Sequence, residues 1–267
     1  MPGLPADLLD ALVPLARTPH LLLACAYDGT LAPVAARPEQ ALPDREAVAV
    51  LRRIAVLPDT TTAVISGRAV RDLALLSRLP GEVRLVGSHG AEFDAGVVRE
   101  PSPEERLLLA DLRRVVTDGV ARYSSPAVVE VRPLSVAVHH GRCRPEEARW
   151  LLAQLRTGPG GWAGVRVTEG RRVIEFSVVP ADKGQALDVL RHQAGATAVA
   201  FLGDDAADEK AFAQLSGNDV GIRVGDGDTV AAHRIEDTAM VVATFTALLE
   251  QRTAWLSSGF APTGTAE

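Results

Sequence analysis

The stretch ACAYDGTL, residues 24–31, decides the reading of this chain. The apolar run HLLLAC (20–25) feeds straight into it, so it lies at the end of a buried strand. Gly29 marks a turn, and beside it stand one acid, Asp28, and one hydroxyl, Thr30. Position 26, two before Asp28 and on the same strand face, is an alanine. The strand end therefore has the makings of a reaction centre whose first acidic position is empty.

Outward from this stretch, short apolar runs alternate with helical patterns. DREAVAVLRRIA places Val48, Leu51 and Ile54 on one helix side; TTAVIS is a strand, GRAVRDLALLSRL a helix and VRLVG a third strand. Alternation of this kind predicts an α/β fold, a Rossmann-like parallel sheet with helices on both faces. The rhythm then changes. EERLLLADLRRVVTDGV is a long amphipathic helix, AVVEV and LSVAVHH are paired strands, PEEARWLLAQL is a helix, and VRVTEG and RRVIEFSVV are strands around a glycine turn. This pattern predicts an inserted α+β module over residues 102–179, with residues 1–101 and 180–267 forming the core. The first rhythm resumes with KGQALDVLRHQAG, AVAFLGDD, ADEKAFAQL, DVGIRVG and a final helix over 241–257.

Bulk composition narrows the function. With 47% hydrophobic residues in 267, the chain can bury a large core. A net charge of −6 and a pI near 5.6 argue against a nucleic-acid partner gripped through its phosphates. A small anion remains possible, because a local field can oppose the net charge. No apolar run reaches membrane-spanning length, so no membrane partner is expected. Leu8, Leu9, Leu12 and Leu15 fit a short amphipathic helix better than a signal peptide, and the tail SSGFAPTGTAE is expected to fray. Cys25 and Cys143 offer neither metal-ligand spacing nor a disulfide framework, which suits a cytoplasmic location.

In a parallel sheet, ligands sit outside the carboxyl ends of the strands. There the sequence puts Asp28 and Thr30, Ser66 and Arg68 of SGR, and Asp204, Asp205 and Asp208 of GDDAADE; Lys183 opens the helix after the insert. Each has a plain structural reading. Ser66 can cap a helix, Arg68 reads as a solvated charge, Asp204 and Asp205 can cap a helix, and Asp28 can be a turn residue. Lys183 is different: a lysine at a helix N-terminus opposes the macrodipole and so faces an anion. Together, a carboxylate cluster suited to Mg²⁺, a hydroxyl and lysine suited to phosphate oxygens, and an acid suited to proton donation are the equipment of phosphoryl transfer.

On these residues the sequence resembles the haloacid-dehalogenase (HAD) phosphatases, and within them the trehalose-6-phosphate phosphatases. AYDGTL, ISGR, DKG and GDDAADE occur in the family's order; YDGTLAP, GSHGAE (87–92), VEVRPLSVAVHH (129–140) and EGRRVIEF (169–176) followed by KGQAL sharpen the likeness from about residue 20 to 250. The resemblance implies a mobile cap and a sugar-phosphate substrate, trehalose 6-phosphate or a close relative. It implies Mg²⁺ held by the first motif's leading Asp, by the Asp28 carbonyl and by Asp204, with Asp205 and Asp208 in support, and phosphate held by Ser66 and Lys183. Asp28 would be the acid, and Glu130, Arg132, Arg171 and Glu175 would grip sugar hydroxyls. An exposed, salt-bridged sheet face is the plain alternative for those four. Arg132 stands where lysine is frequent, Ser177 where arginine is common and Ala207 where threonine is common.

The gravest departure is Ala26. The family's first Asp attacks phosphorus; alanine cannot, and it removes one metal ligand. The chain as written is expected to be dead by the covalent route. Two accounts fit: a deliberate single change that traps ligand, or a natural pseudophosphatase. A phosphotransferase on the same core would share the missing nucleophile, and a pure interaction module would not need Lys183 opposite a carboxylate cluster.

Overall fold

The computed structural model describes residues 3–35, 38–94, 96–97, 100–123, 126–170 and 172–259. Arg171 and residues 260–267, where the tail was expected to fray, lie outside the described residues. The chain divides into two compact units: Met1–Gly90 with Asp182–Glu267, and Ala91–Ala181.

The first unit begins with α1 (Ala6–Ala16), β1 (Leu21–Ala26), α2 (Arg45–Ala55), β2 (Thr60–Ile65), α3 (Val70–Ser77) and β3 (Val83–Gly87). Every residue of β1 is buried, as befits a central parallel strand covered on both faces. The α2 helix starts where Asp44 accepts hydrogen bonds from the amides of Glu46 and Ala47, and its Val48, Leu51 and Ile54 turn inward.

The second unit carries the short antiparallel pair β4 (Glu92–Phe93) and β5 (Gly96–Val97), then α4 (Pro103–Arg122), β6 (Val128–Val131), β7 (Ser135–His139), α5 (Pro145–Thr157), β8 (Arg166–Gly170) and β9 (Val173–Ser177). Its four longer strands form an antiparallel sheet in the order β6-β7-β9-β8. Leu112 and Val116 of α4, Leu151 and Leu155 of α5, and Val136, Val138, Ile174 and Phe176 of the strands share one core. Ser102 starts α4 with a reciprocal capping box to Glu105, and Pro103 takes the first helical position.

The chain returns to the first unit through α6 (Lys183–Ala194), β10 (Ala198–Gly203), α7 (Glu209–Phe212), β11 (Val220–Val224), β12 (His233–Ile235) and α8 (Thr238–Ser257). Six strands of this unit run parallel in the order β12-β11-β10-β1-β2-β3. The Rossmann-like α/β reading therefore holds. The sequence reading stretched the helix after GDD over ADEKAFAQL; α7 is a single turn, because Asp204–Asp208 is spent on side-chain-to-backbone bonds before it. Below the amino ends of β1 and β2, the fully buried Arg252 of α8 donates to the carbonyls of Ala16, Thr18, Pro19, Pro58 and Asp59. One side chain thus ties two connections, α1–β1 and α2–β2, to the last helix.

Strand order locates the crevice. From β1 the chain moves one way to β2 and β3, and later returns on β1's other side as β10. The direction reverses between β1 and β10, and ligands in open α/β sheets bind outside the carboxyl ends at such a switch point. Asp28 follows β1 and Asp204 follows β10.

Candidate active site

Ala26 closes β1, is buried, and pairs in register with Ile65 at the end of β2. After it the chain turns back through a bridge between Asp28 and Ala32. That bridge uses the Tyr27 carbonyl and the Gly29 amide, not the Asp28 carbonyl. Gly29 has φ +75°, and a β-carbon there would stand 1.8 Å from Asp204 Oδ2. The glycine is therefore what lets the Asp204 carboxylate lie against the Asp28–Thr30 turn. The Thr30 hydroxyl is buried and finds no hydrogen-bond partner among the described residues.

Asp208 organises the opposite loop. It is wholly buried; its Oδ1 accepts from Lys183 Nζ at 2.6 Å, and its Oδ2 accepts from the amides of Asp204 and Asp205 at 2.9 and 3.0 Å. Asp205 lies 3.6 Å from the same Nζ and accepts from the amides of Ala207 and Asp208. The anion that Lys183 was expected to face is this carboxylate pair. Burial opposes the Lys183 ammonium, but Asp208 and Asp205 outweigh it and raise its pKa. Burial, then the charges of Asp208 and Asp205, push Asp204 up to about 7.

Ser66 ends β2's turn, buried, with its Oγ accepting from the Arg68 amide at 3.1 Å. It does not cap α3, whose N-cap is Ala69. Arg68 is not the solvated charge expected of it. Its Nε and Nη2 donate to Asp28 Oδ2 and Oδ1 at 2.8 and 2.5 Å, and the guanidinium lies 5.5 Å from the Tyr27 ring centre. The turn Ser88–Gly90 backs this loop: the Ser88 amide donates to the Arg68 carbonyl and the His89 amide to the Ser66 carbonyl. Both Ser88 and His89 are left-handed, at φ +48° and +55°, a strain that accompanies functional loops.

The second unit holds a separate polar cluster. Glu130, Ala137, Glu175 and Thr168 form one register row across β6, β7, β9 and β8. The small Ala137 between two glutamates leaves room for the Arg132 guanidinium. Arg132 donates to both Glu130 oxygens at 2.8 Å and to Glu175 Oε2 at 2.7 Å; Ser135 Oγ donates to Glu175 Oε1 at 2.5 Å, and His139 Nε2 lies 2.6 Å from Glu130 Oε2. Burial disfavours the Glu130 carboxylate, but His139 and Arg132 outweigh it and lower its pKa to about 2. The cluster is salt-bridged, yet not the exposed face of the plain reading: Arg132 and Glu175 are buried. Sequence reasoning missed Ser135 and His139, although both lie within the VEVRPLSVAVHH stretch; it also missed Arg223, which donates to the Asp205 carbonyl and to Glu209.

A family model described as trehalose-phosphatase matches residues 25–239. The chain belongs to the trehalose-phosphatase family. It is by family a phosphatase. It is 31% identical to the trehalose-6-phosphate phosphatase of Escherichia coli over 238 residues, covering 83% of this chain and 85% of that protein. It is 34% identical to an uncharacterized glycosyl hydrolase of Mycobacterium tuberculosis over 227 residues, 79% of this chain but only 17% of that much longer relative. Among solved structures, the C-terminal domain of Candida albicans trehalose-6-phosphate phosphatase superimposes with a TM-score of 0.76 at 21% identity, covering 92% of this chain and 99% of that one. A HAD-superfamily phosphatase from Bacteroides thetaiotaomicron gives 0.56 at 15% identity, covering 87% and 95%. The fold is that of the HAD trehalose-phosphatases. Among the described residues no helix is long and apolar enough to cross a membrane.

Proposed function

We propose that this member binds trehalose 6-phosphate or a closely related sugar phosphate together with Mg²⁺, in the cytoplasm, and does not hydrolyse it by the covalent route. One observation carries the reading. Ala26 occupies the buried carboxyl end of β1 at the switch point, beside the Asp28 turn and the Asp204 carboxylate, where the family's chemistry needs a nucleophilic carboxylate. A methyl group has no lone pair to offer phosphorus.

The donor set fits Mg²⁺. Among the described residues no three His, Cys, Asp or Glu side chains converge into a metal cage. Mg²⁺ needs no such cage, since it keeps several waters and takes one or two carboxylates. The Asp204 carboxylate, pressed by two like charges, and the Asp28 carbonyl, outside its own bridge, are hard oxygen donors on facing loops. They would hold the ion, with Asp205 and Asp208 in support. When bound, it would neutralise charge on the phosphate's non-bridging oxygens. Ser66 would donate its hydroxyl to phosphate, Lys183 would supply positive charge from behind, and Asp28 would be the acid toward a leaving alkoxide. The sugar-selecting role of Glu130, Arg132 and Glu175 belongs to the same proposal, as does Arg171.

With one carboxylate fewer, the site repels an incoming phosphate less. Two unit charges about 4 Å apart repel by roughly 4 kcal/mol at an effective dielectric of about 20. Loss of a metal ligand offsets part of this, so binding is retained rather than sharpened. Calorimetry of the full chain with trehalose 6-phosphate and Mg²⁺ tests the reading: saturable binding without phosphate release is expected, and brisk turnover by the Ala26 chain would refute it. The natural pseudophosphatase is the same site without an intended reaction.

A further inference from the structure

At the carboxyl edge of the parallel sheet, Asp28, Asp204, Asp205 and Asp208 gather, with Arg68 paired to Asp28 and Lys183 to Asp205 and Asp208. A phosphate group entering such a place gains from a cation able to turn toward it. Lys183 serves from a fixed position. Its side chain is 4% exposed, and moving Nζ would leave the fully buried Asp208 without its countercharge. Arg68 is differently placed. Its partner Asp28 is 43% exposed, so their ion pair opens to solvent on one side. The Arg68 backbone is pinned at both ends of its peptide group, its amide on Ser66 Oγ and its carbonyl under the Ser88 amide. The guanidinium can therefore change partner without disturbing the loop.

We propose that Arg68 is a second, mobile phosphate-binding cation beside Lys183 and exchanges partners: it holds Asp28 while no anion is present, and passes to the oxygens of an arriving phosphate monoester, releasing Asp28. The inference rests on the reading of this edge as a phosphate site. A planar guanidinium bonds two carboxylate oxygens and two phosphate oxygens with the same fork, and a phosphate dianion carries more charge than the carboxylate it replaces. The Tyr27 ring, 5.5 Å from the guanidinium carbon, gives the cation an aromatic wall in its resting position. Both Asp28 oxygens are engaged by Arg68. Any acid role for Asp28 then begins with Arg68 leaving it, so ligand arrival and the freeing of the acid become one event.

The test is a double-mutant cycle on the full chain, with inorganic phosphate as probe, Mg²⁺ present and affinity read by calorimetry; circular dichroism checks folding. R68Q is expected to weaken phosphate binding at least about tenfold, and R68K, which keeps the charge but loses the fork, by less. D28N removes the competitor and is expected to tighten binding about fivefold. Simple relief of repulsion would also tighten it, but equally with or without Arg68. The proposal requires the D28N gain to shrink below about twofold in the R68Q background. Unchanged affinity in R68Q and R68K, or an equal D28N gain in both backgrounds, would overturn it alone. Absence of phosphate binding by the unaltered chain would overturn it together with the phosphate-site reading.

Discussion

A β-carbon on Gly29 would collide with Asp204 Oδ2, and the backbone there is left-handed, so the glycine holds the acid in place by being small. Gly29→Ala is expected to cost about 1–3 kcal/mol in stability and to abolish the Mg²⁺-induced rise in melting temperature. A variant that kept both would show that Asp204 is not seated on this turn. At this scale the sequence was partly legible. Asp28, Ser66 and Asp204 fall at strand ends, which are visible in apolar runs, and Lys183 at the start of a helix, where its charge opposes the dipole. Arg68 was misread, since its partner lies forty residues away and nothing local announces an ion pair. His139 and Ser135 escaped for a similar reason: their partners are set by antiparallel register across β6, β7 and β9, which no single strand reveals.

Elements explain what the polar cluster of the second unit is worth. Its sheet carries the buried Arg132 between Glu130 and Glu175, which share one register row across β6, β7 and β9. Removing one partner of a buried pair leaves an uncompensated charge, so Glu175→Ala is expected to cost about 3 kcal/mol or more by denaturant titration. A cluster built only to receive a ligand would show little loss of stability. Strand and helix types were legible here from period-2 and helical patterning. The pairs β4–β5 and the edge strand β12 were not, because two- and three-residue strands carry no periodic signal.

Across the whole molecule, the crowded carboxylates make stability depend on pH. Asp204, raised to about 7 by burial and by Asp208 and Asp205, holds its proton in the folded chain where an unfolded carboxyl has lost it. Its contribution is therefore present below the ordinary carboxylate pKa of about 4 and is lost as pH rises through about 7. Melting in chelator should fall between pH 5.5 and 8 by an amount of order 2 kcal/mol, and Mg²⁺ at pH 8 should restore it. A melting temperature flat with pH and indifferent to Mg²⁺ would contradict this charge distribution. The fold at this scale was legible from its alternating rhythm, whereas the electrostatic crowding needed the loops brought together.

All of this converges on position 26. Phosphate release from trehalose 6-phosphate, measured side by side for this chain and for Ala26→Asp with Mg²⁺, tests the account most directly. The account predicts background release by the chain as it stands and Mg²⁺-dependent hydrolysis by Ala26→Asp. Equal, brisk release by both would place the nucleophile elsewhere, and a folded Ala26→Asp that stays inert would mean that Ala26 is not what stops the reaction.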